Sequence, residues 1–280
     1  MFIRCWGARG SIPVSGKDHL KYGGDTTCVE IQSQKGEKII LDAGTGIRRL
    51  GNVISVRKPT TLHVLFTHAH WDHILGFPFF KPLHDPRVTL NLYGGLFAHE
   101  PVTRYVAKTM ESPMFPVPID DVLASIKHHL VSSATPFSIG SLLVTPINLS
   151  HPNGGFGYKI TEGRKTFVFL TDNELNFIHP GGCSFDNYVS FARECDLLIH
   201  DAEFTRREYS RTRGWGHSCY TDAVRLARSA GVKRLGLFHH NQDRRDKEID
   251  SIEKSSQKLL VSHHPKISCF AVKDSFSIRL

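Results

Sequence analysis

The residues best equipped for chemistry lie in one short run, Thr67-His68-Ala69-His70-Trp71-Asp72-His73. His68, His70, Asp72 and His73 place four metal-ligand side chains within six positions. Alternate residues of an extended segment point the same way. His68 and His70 can therefore grip one ion while Asp72 and His73 turn towards a neighbouring one. Imidazole and carboxylate donors suit zinc, manganese or iron, and the lack of thiolates disfavours copper(I) and iron–sulfur clusters. A lone histidine beside an apolar strand is usually structural; four such residues in one loop are not.

Short apolar, β-branched runs bounded by turn residues predict the strands that must position this loop. Leu62–Phe66 leads into it, Leu142–Leu149 into Ser150-His151, Thr166–Leu170 into Thr171-Asp172, and Arg234–Phe238 into His239-His240. Four strands thus each deliver a histidine or aspartate at their C-terminal end, and strand ends of a layered fold gather along one edge. The start, Met1–Gly7, and Lys38–Leu41, Val88–Tyr93 and Leu197–Ile199 read as further strands. Helical patterns cover Ala98–Thr109, Asp121–Lys127, Asp186–Glu194, Thr221–Ser229 and Asp246–Leu260. This mixture predicts an α/β protein in which two packed sheets carry helices outside. There is no internal repeat or Pro/Ser linker. The proline-rich Met110–Pro118 stretch keeps apolar side chains to bury, so it reads as a packed loop inside one domain spanning 1–280.

Composition narrows the class. The chain has 280 residues, 40% apolar and 22% charged, as expected of a globular protein with a sizeable core. The N-terminus lacks the pattern of a secretory signal and no run is long and apolar enough to cross a membrane, which predicts a cytoplasmic protein with no membrane partner. Six singly placed cysteines, Cys5, Cys28, Cys183, Cys195, Cys219 and Cys269, argue against a disulfide framework and a thiolate zinc knuckle. The formal charge is +8, and Arg206, Arg207, Arg211, Arg213, Arg225, Arg228, Lys233 and Arg234 cluster against few acids. Such a cluster steers anions and points to a phosphate-bearing small molecule. Taken singly, each of these arginines is more simply a solvated surface residue.

With its H-x-H-x-D-H signature complete, the chain resembles the metallo-β-lactamase superfamily. Leu41-Asp42-Ala43-Gly44-Thr45-Gly46 is similar to the strand and turn that precede the signature. The resemblance implies the metallo-β-lactamase fold, an αββα sandwich of two mixed β-sheets with helices on the outer faces. It also implies two divalent metal ions, zinc first, with manganese or iron as alternatives. One ion would take His68, His70, His151 and Asp172, the other Asp72, His73, Asp172 and His239. His240 adjoins His239, but His239 directly follows the strand Leu235-Gly236-Leu237-Phe238. Asp42 is expected to bond backbone or an imidazole behind the site. A hydroxide bridging two ions about 3.5–4 Å apart suits in-line attack on a phosphodiester, and Asp72 can accept the nucleophile's proton.

Gly214-Trp215-Gly216-His217-Ser218 resembles the branch containing tRNase Z and its phosphodiesterase relatives. This implies His217 as the acid for the leaving group, oriented by Asp201, where the tRNase Z pattern carries a glutamate. The plainer alternative for this segment is a helix start capped by Ser218, and His200 reads as structural. Gly7-Ala8-Arg9-Gly10-Ser11-Ile12-Pro13 and Tyr22-Gly23-Gly24-Asp25-Thr26-Thr27-Cys28 are similar to a bacterial subgroup of the same branch. In tRNase Z a long tRNA-gripping arm separates the third histidine motif from the bridging aspartate. Here only Pro152–Thr171 does, enough for a strand hairpin. The extra length lies instead between His73 and His151, where Phe77-Pro78-Phe79-Phe80 extends the core or stacks a base. The expected substrate is a cyclic nucleotide or cyclic oligonucleotide, with tRNase Z-like endoribonuclease and thioester or lactone hydrolase as alternatives. RNA is the less favoured partner, and the branch implies a homodimer. Relatives that keep the fold without catalysis usually lack a ligand, whereas this set is complete.

Overall fold

The computed structural model describes residues 1–133, 135–261 and 266–280. Strands β1 (Phe2–Gly7), β2 (Cys28–Gln32), β3 (Lys38–Leu41), β4 (Thr60–Leu65) and β5 (Val88–Gly94) come first, followed by a small hairpin of β6 (Leu96–Phe97) and β7 (Glu100–Pro101) and then by β8 (Ser125–Leu130). The second half supplies β9 (Phe137–Ile139), β10 (Leu142–Asn148), β11 (Phe156–Glu162), β12 (Lys165–Leu170), β13 (Leu197–Asp201), β14 (Arg234–Phe238) and β15 (Ser268–Ala271), and β16 (Ser277–Arg279) returns to the first. Helices are α1 (Gly46–Val53), α2 (Trp71–Ile74), α3 (Val102–Lys108), α4 (Phe185–Ala192), α5 (Arg206–Thr212), α6 (Tyr220–Ala230) and α7 (Asp246–Val261).

One seven-stranded sheet runs β16-β1-β2-β3-β4-β5-β8, the other β15-β14-β13-β12-β11-β10-β9. Each is antiparallel over its chain-terminal or hairpin strands and parallel over the rest, where β3, β4, β5 and β8 run together, as do β12, β13, β14 and β15. Parallel strands end on one edge, so the residues following β3, β4, β12, β13 and β14 are brought to the same side of the molecule.

Side-chain alternation divides the strands between layers. In β12, Phe167 and Phe169 enter the core between the sheets with Ile3, Ile31, Leu41, Ile160 and Ile199, while Val168 and Leu170 face the opposite way against α4 and α6. Ile40, Leu62 and Val64 pack outwards against Ile47 and Leu50 of α1 and against Phe77 and Phe80. Burying each such side chain stabilises by roughly 1.5–3 kcal/mol. Both sheets are thus apolar on both faces, and the layering is helix, sheet, sheet, helix: the metallo-β-lactamase fold.

The sequence reading departs from this structure at identifiable places. Asp121–Lys127 reads as helix, but Ser125–Leu130 is strand β8, paired in parallel with β5 at the sheet edge. Its mostly exposed side chains give no alternation to read, and pairing with a neighbour outweighs local propensity. Within Ala98–Thr109 only Val102–Lys108 is helical. Helices α1, α2 and α5 and strands β2, β6, β7, β9, β15 and β16 are additions. The strand ends and helix patterns elsewhere agree to within a few residues. The six cysteines are free thiols.

Candidate metal centre

The edge where the parallel strands end carries one dense cluster. Ligand atoms of His68, His70, His151 and Asp172 lie within 4.8 Å of one another, and so do those of Asp72, His73, Asp172 and His239. Asp172 is common to both sets. One of its oxygens stands 3.6 Å from His68 Nε2 and 4.0 Å from His151 Nε2, the other 3.3 Å from both His73 Nε2 and His239 Nε2. Asp72 faces His73 and His239 at 3.2 and 3.0 Å. All seven residues expected as ligands converge here. Three residues that end strands at this edge, Asp42, Asp172 and His239, are left-handed, with φ of 60°, 51° and 56°. Non-glycine residues adopt that conformation rarely, and such strain concentrates at functional sites. It breaks each strand where a side chain must turn, into the cluster for Asp172 and His239 and behind His73 for Asp42.

A second set of bonds fixes which imidazole nitrogen faces inwards. His73 Nδ1 donates to Asp42 Oδ2 (2.8 Å), His239 Nδ1 to Glu203 Oε2 (2.9 Å) and His151 Nδ1 to the Gly216 carbonyl (2.9 Å). Thr67 Oγ1 gives its own proton to Asp42 and so accepts from His68 Nδ1 at 3.0 Å. With Nδ1–H tied back, each ring turns its Nε2 towards the cluster, as metal-bound histidines do. The Nε2 atoms of His68 and His73 are buried with no hydrogen-bond partner. Buried polar atoms are rarely left so, and a divalent cation held by these imidazoles and carboxylates would satisfy them.

The electrostatics divide the histidines. Burial disfavours charge on His73 and His239, but Asp72 and Asp172 outweigh it at His73, and Asp172, Asp72 and Glu203 at His239, holding both well above the usual histidine range, so a bound cation would displace their protons. Burial, then the nearby His73, hold His68 well below the usual histidine range, and burial does the same to His151, so both are neutral donors. Burial alone would raise Asp172 and Asp72. The surrounding imidazoles instead hold both well below the usual carboxylate range, and both are ionised.

His217 stands against the cluster. Its Nδ1 lies 2.8 Å from Asp201 Oδ2, 3.4 Å from Glu203 Oε2 and 4.0 Å from Asp172 Oδ2, and its ring stacks on His239 with centroids 4.7 Å apart. Burial disfavours its charge, but Glu203 and Asp201 outweigh this and raise its pKa to about 9. The turn before it is held by Glu174, whose carboxylate accepts the N–H groups of Gly214 and Gly216, each at 2.8 Å. Gly216 has φ +95°, and a Cβ there would lie 2.2 Å from His151 Nδ1. Glu203 and Glu174 are the functional neighbours that sequence reasoning missed. An isolated glutamate carries no spacing signal, although Glu203 follows Asp201 by only two positions. Ser11 was likewise not singled out: the N-terminal glycine-rich stretch brings its N–H to Asp72 Oδ2 at 2.8 Å.

A family model described as "Beta-lactamase superfamily domain" matches residues 37–240, most of the chain and every residue of the cluster. The chain belongs to this superfamily. Ribonuclease Z of Oceanobacillus iheyensis is 22% identical over 251 residues, 73% of this chain and 79% of that protein. Among solved structures, the metallo-β-lactamase fold protein YhfI from Bacillus subtilis superposes with a TM-score of 0.69 at 19% identity over 99% of both chains. A diphosphatase from the PhnP family gives 0.70 at 18% identity, covering 100% of this chain and 97% of that one.

Not every residue singled out in the sequence reaches the centre of this superfamily member. His240 turns away, with Nε2 on the Val272 carbonyl at 2.7 Å, and burial lowers its pKa to about 3. His200 is tied to its neighbour's carbonyl and to Asn173. The arginine cluster divides. Arg207 and Arg211 line a cleft together with His217, whereas Arg206, Arg225 and Arg228 line a separate groove. Among the described residues no helix is long and apolar enough to cross a membrane.

Proposed function

We propose that the chain is a dinuclear metal-dependent phosphodiesterase whose substrate is a cyclic nucleotide or cyclic oligonucleotide. The observation that carries this reading is the pairing of two ligand sets that share Asp172 with an imidazole, His217, buttressed by Asp201 beside them. His68, His70, His151 and Asp172 would hold one ion, and Asp72, His73, Asp172 and His239 the other. Two divalent ions bound there would supply Lewis acidity and activate water for in-line displacement at phosphorus. Asp72, oriented by the Ser11 N–H, takes the proton of the attacking water. His217 has Nδ1 committed to Asp201 and a pKa of about 9, so it is charged at neutral pH and Nε2 is the nitrogen left to protonate the leaving alkoxide. Zinc is the first choice for both ions, with manganese or iron as alternatives, since these donors suit all three. The same reading carries a cytoplasmic homodimer.

The similarity to ribonuclease Z supports a second reading, cleavage of a tRNA precursor. The chain between His151 and Asp172 is mostly taken up by the β11–β12 hairpin, which pairs from Tyr158↔Phe169 to Glu162↔Lys165. No tRNA-gripping arm occupies that segment, which favours the smaller substrate.

The test is a panel of 3′,5′- and 2′,3′-cyclic mononucleotides, cyclic dinucleotides, a tRNA precursor, a thioester and a lactone, each incubated with Zn²⁺ or Mn²⁺ and with chelator. Metal-dependent opening of cyclic nucleotides with the precursor untouched is the expected result. Cleavage of the precursor promotes the second reading, and turnover of the thioester or lactone alone overturns both.

A further inference from the structure

Next to the ligand cluster lies a cleft of about 640 Å³, within the range that encloses a small-molecule ligand. Ser11, Glu203 and His217 line it, and each touches the centre: Ser11 donates to Asp72, Glu203 accepts from His239, and His217 stacks on His239. The cleft is therefore continuous with the reacting position. Its other lining includes Arg207, Arg211 and Trp215.

These three residues are displayed rather than used. Arg207 and Arg211 stand four apart on α5, on one helix face. Both are exposed, and among the described residues neither has a carboxylate partner. The intervening Glu208 does not neutralise them, because it pairs with Arg244 at 2.8 Å and accepts from Thr205. Glu203 is engaged by His239 and Asn241, and Asp243, the remaining carboxylate of the cleft, accepts from Gln242 Nε2 at 3.2 Å. Arg206, next in sequence, bonds Thr221 and faces the other groove. Trp215 is 64% exposed on the turn that Glu174 pins through two backbone N–H groups. A large indole is thus held in solvent on a fixed backbone, two residues from His217. Guanidinium groups bind phosphate oxygens in a bidentate fork, and an exposed indole face stacks a nucleobase.

We propose that Trp215, Arg207 and Arg211 form the specificity rim of this cleft, reading a nucleobase and a second phosphate one nucleotide away from the bond that is cut. This rests on the phosphodiesterase reading and narrows it: the substrate class is a dinucleotide or longer phosphodiester, cyclic or linear, rather than a cyclic mononucleotide. A cyclic mononucleotide has a single phosphate, which the metal centre itself would engage, so the arginines would have nothing to hold.

The test compares a cyclic dinucleotide, a 3′,5′-cyclic mononucleotide and bis(p-nitrophenyl) phosphate, which has neither base nor second phosphate. The metal-loaded protein should prefer the cyclic dinucleotide over the mononucleotide by at least about tenfold in kcat/KM. In the Arg207→Gln/Arg211→Gln double variant that preference should collapse through KM, with hydrolysis of bis(p-nitrophenyl) phosphate unchanged. Added salt should erode it in the parent and not in the variant. A second readout avoids turnover altogether: in chelator, the cyclic dinucleotide should quench intrinsic fluorescence of the parent but not of Trp215→Leu. Hydrolysis of bis(p-nitrophenyl) phosphate combined with an unaltered preference in the double variant, or with equal quenching in Trp215→Leu, overturns the rim and leaves the phosphodiesterase reading standing. No hydrolysis of any of the three substrates overturns both.

Discussion

At the scale of single residues, the centre depends on where protons sit. His217 bonds Asp201 through Nδ1, and Glu203 and Asp201 favour its charged form against burial. Its replacement by alanine should therefore cost about 10²–10⁴-fold on a substrate with an alkoxide leaving group, and far less on a nitrophenyl ester, whose phenolate needs little protonation. Equal losses on both, measured as kcat, would remove the acid role. Asp274 offers a test independent of activity. Burial, opposed by Arg49 and reinforced by Asp25, raises its pKa from 3.8 to about 6. A carboxyl with a raised pKa in the folded protein holds its proton more tightly there than in the unfolded chain. Its contribution to stability is then greatest below about pH 4 and is lost as pH rises through 6. Relative to Asp274→Asn, the parent should lose on the order of 2–3 kcal/mol between those limits, read from urea unfolding at each pH. A difference between the two proteins that stays flat from pH 4 to 7 would refute this.

At the scale of elements, the connections after the strands decide the site more than the strands do. The turn 214–216 illustrates it: Glu174 fixes its backbone, Gly216 gives its carbonyl to His151, and a Cβ at Gly216 would intrude on that ring. Gly216→Ala also meets an unfavourable positive φ. It should displace His151 and lower bound metal below two ions per chain with the fold retained. Metal analysis together with circular dichroism checks this; full metal content in the variant would show that the turn yields instead. Gly10 stands in a similar relation to His239, since a Cβ there would lie 2.3 Å from its Nδ1. Both glycines permit backbone to approach an imidazole from behind.

At the scale of the whole molecule, the cluster joins the two sheets. His68, His70, Asp72 and His73 follow β4 of one sheet, while His151, Asp172 and His239 follow β10, β12 and β14 of the other. Ions bound there would link both halves of the sandwich in the folded state only, and such linkage adds about 2.7 kcal/mol when free metal exceeds Kd a hundredfold. Chelation should therefore lower Tm by several degrees, about 2–4 °C per kcal/mol lost for a chain of this size. An unchanged Tm in metal-stripped protein would mean that the sandwich is held by its apolar layers alone.

How much of this was legible follows from what each signal measures. The convergence of the H-x-H-x-D-H run with His151, Asp172 and His239 at strand ends was readable because ligand chemistry restricts residue types and because strands alternate. Apolar runs such as Lys38–Leu41 and Arg234–Phe238 marked their strands to the residue, since burial on both faces leaves little else a strand can be. Edge strand β8 was misread because exposed residues carry no period. Glu203, Glu174 and Ser11 were invisible for a different reason: their partners lie 36, 40 and 61 positions away. Local pattern cannot report a bond of that span. The sequence by itself determined the layering and the seven residues expected as ligands, with His239 rather than His240 among them. Tertiary structure alone decided which nitrogen of each histidine faces inwards and brought Glu203, Glu174 and Ser11 to them. It also decided which arginines share a cleft with His217, because those are facts about directions in space and a chain encodes direction only once it is packed.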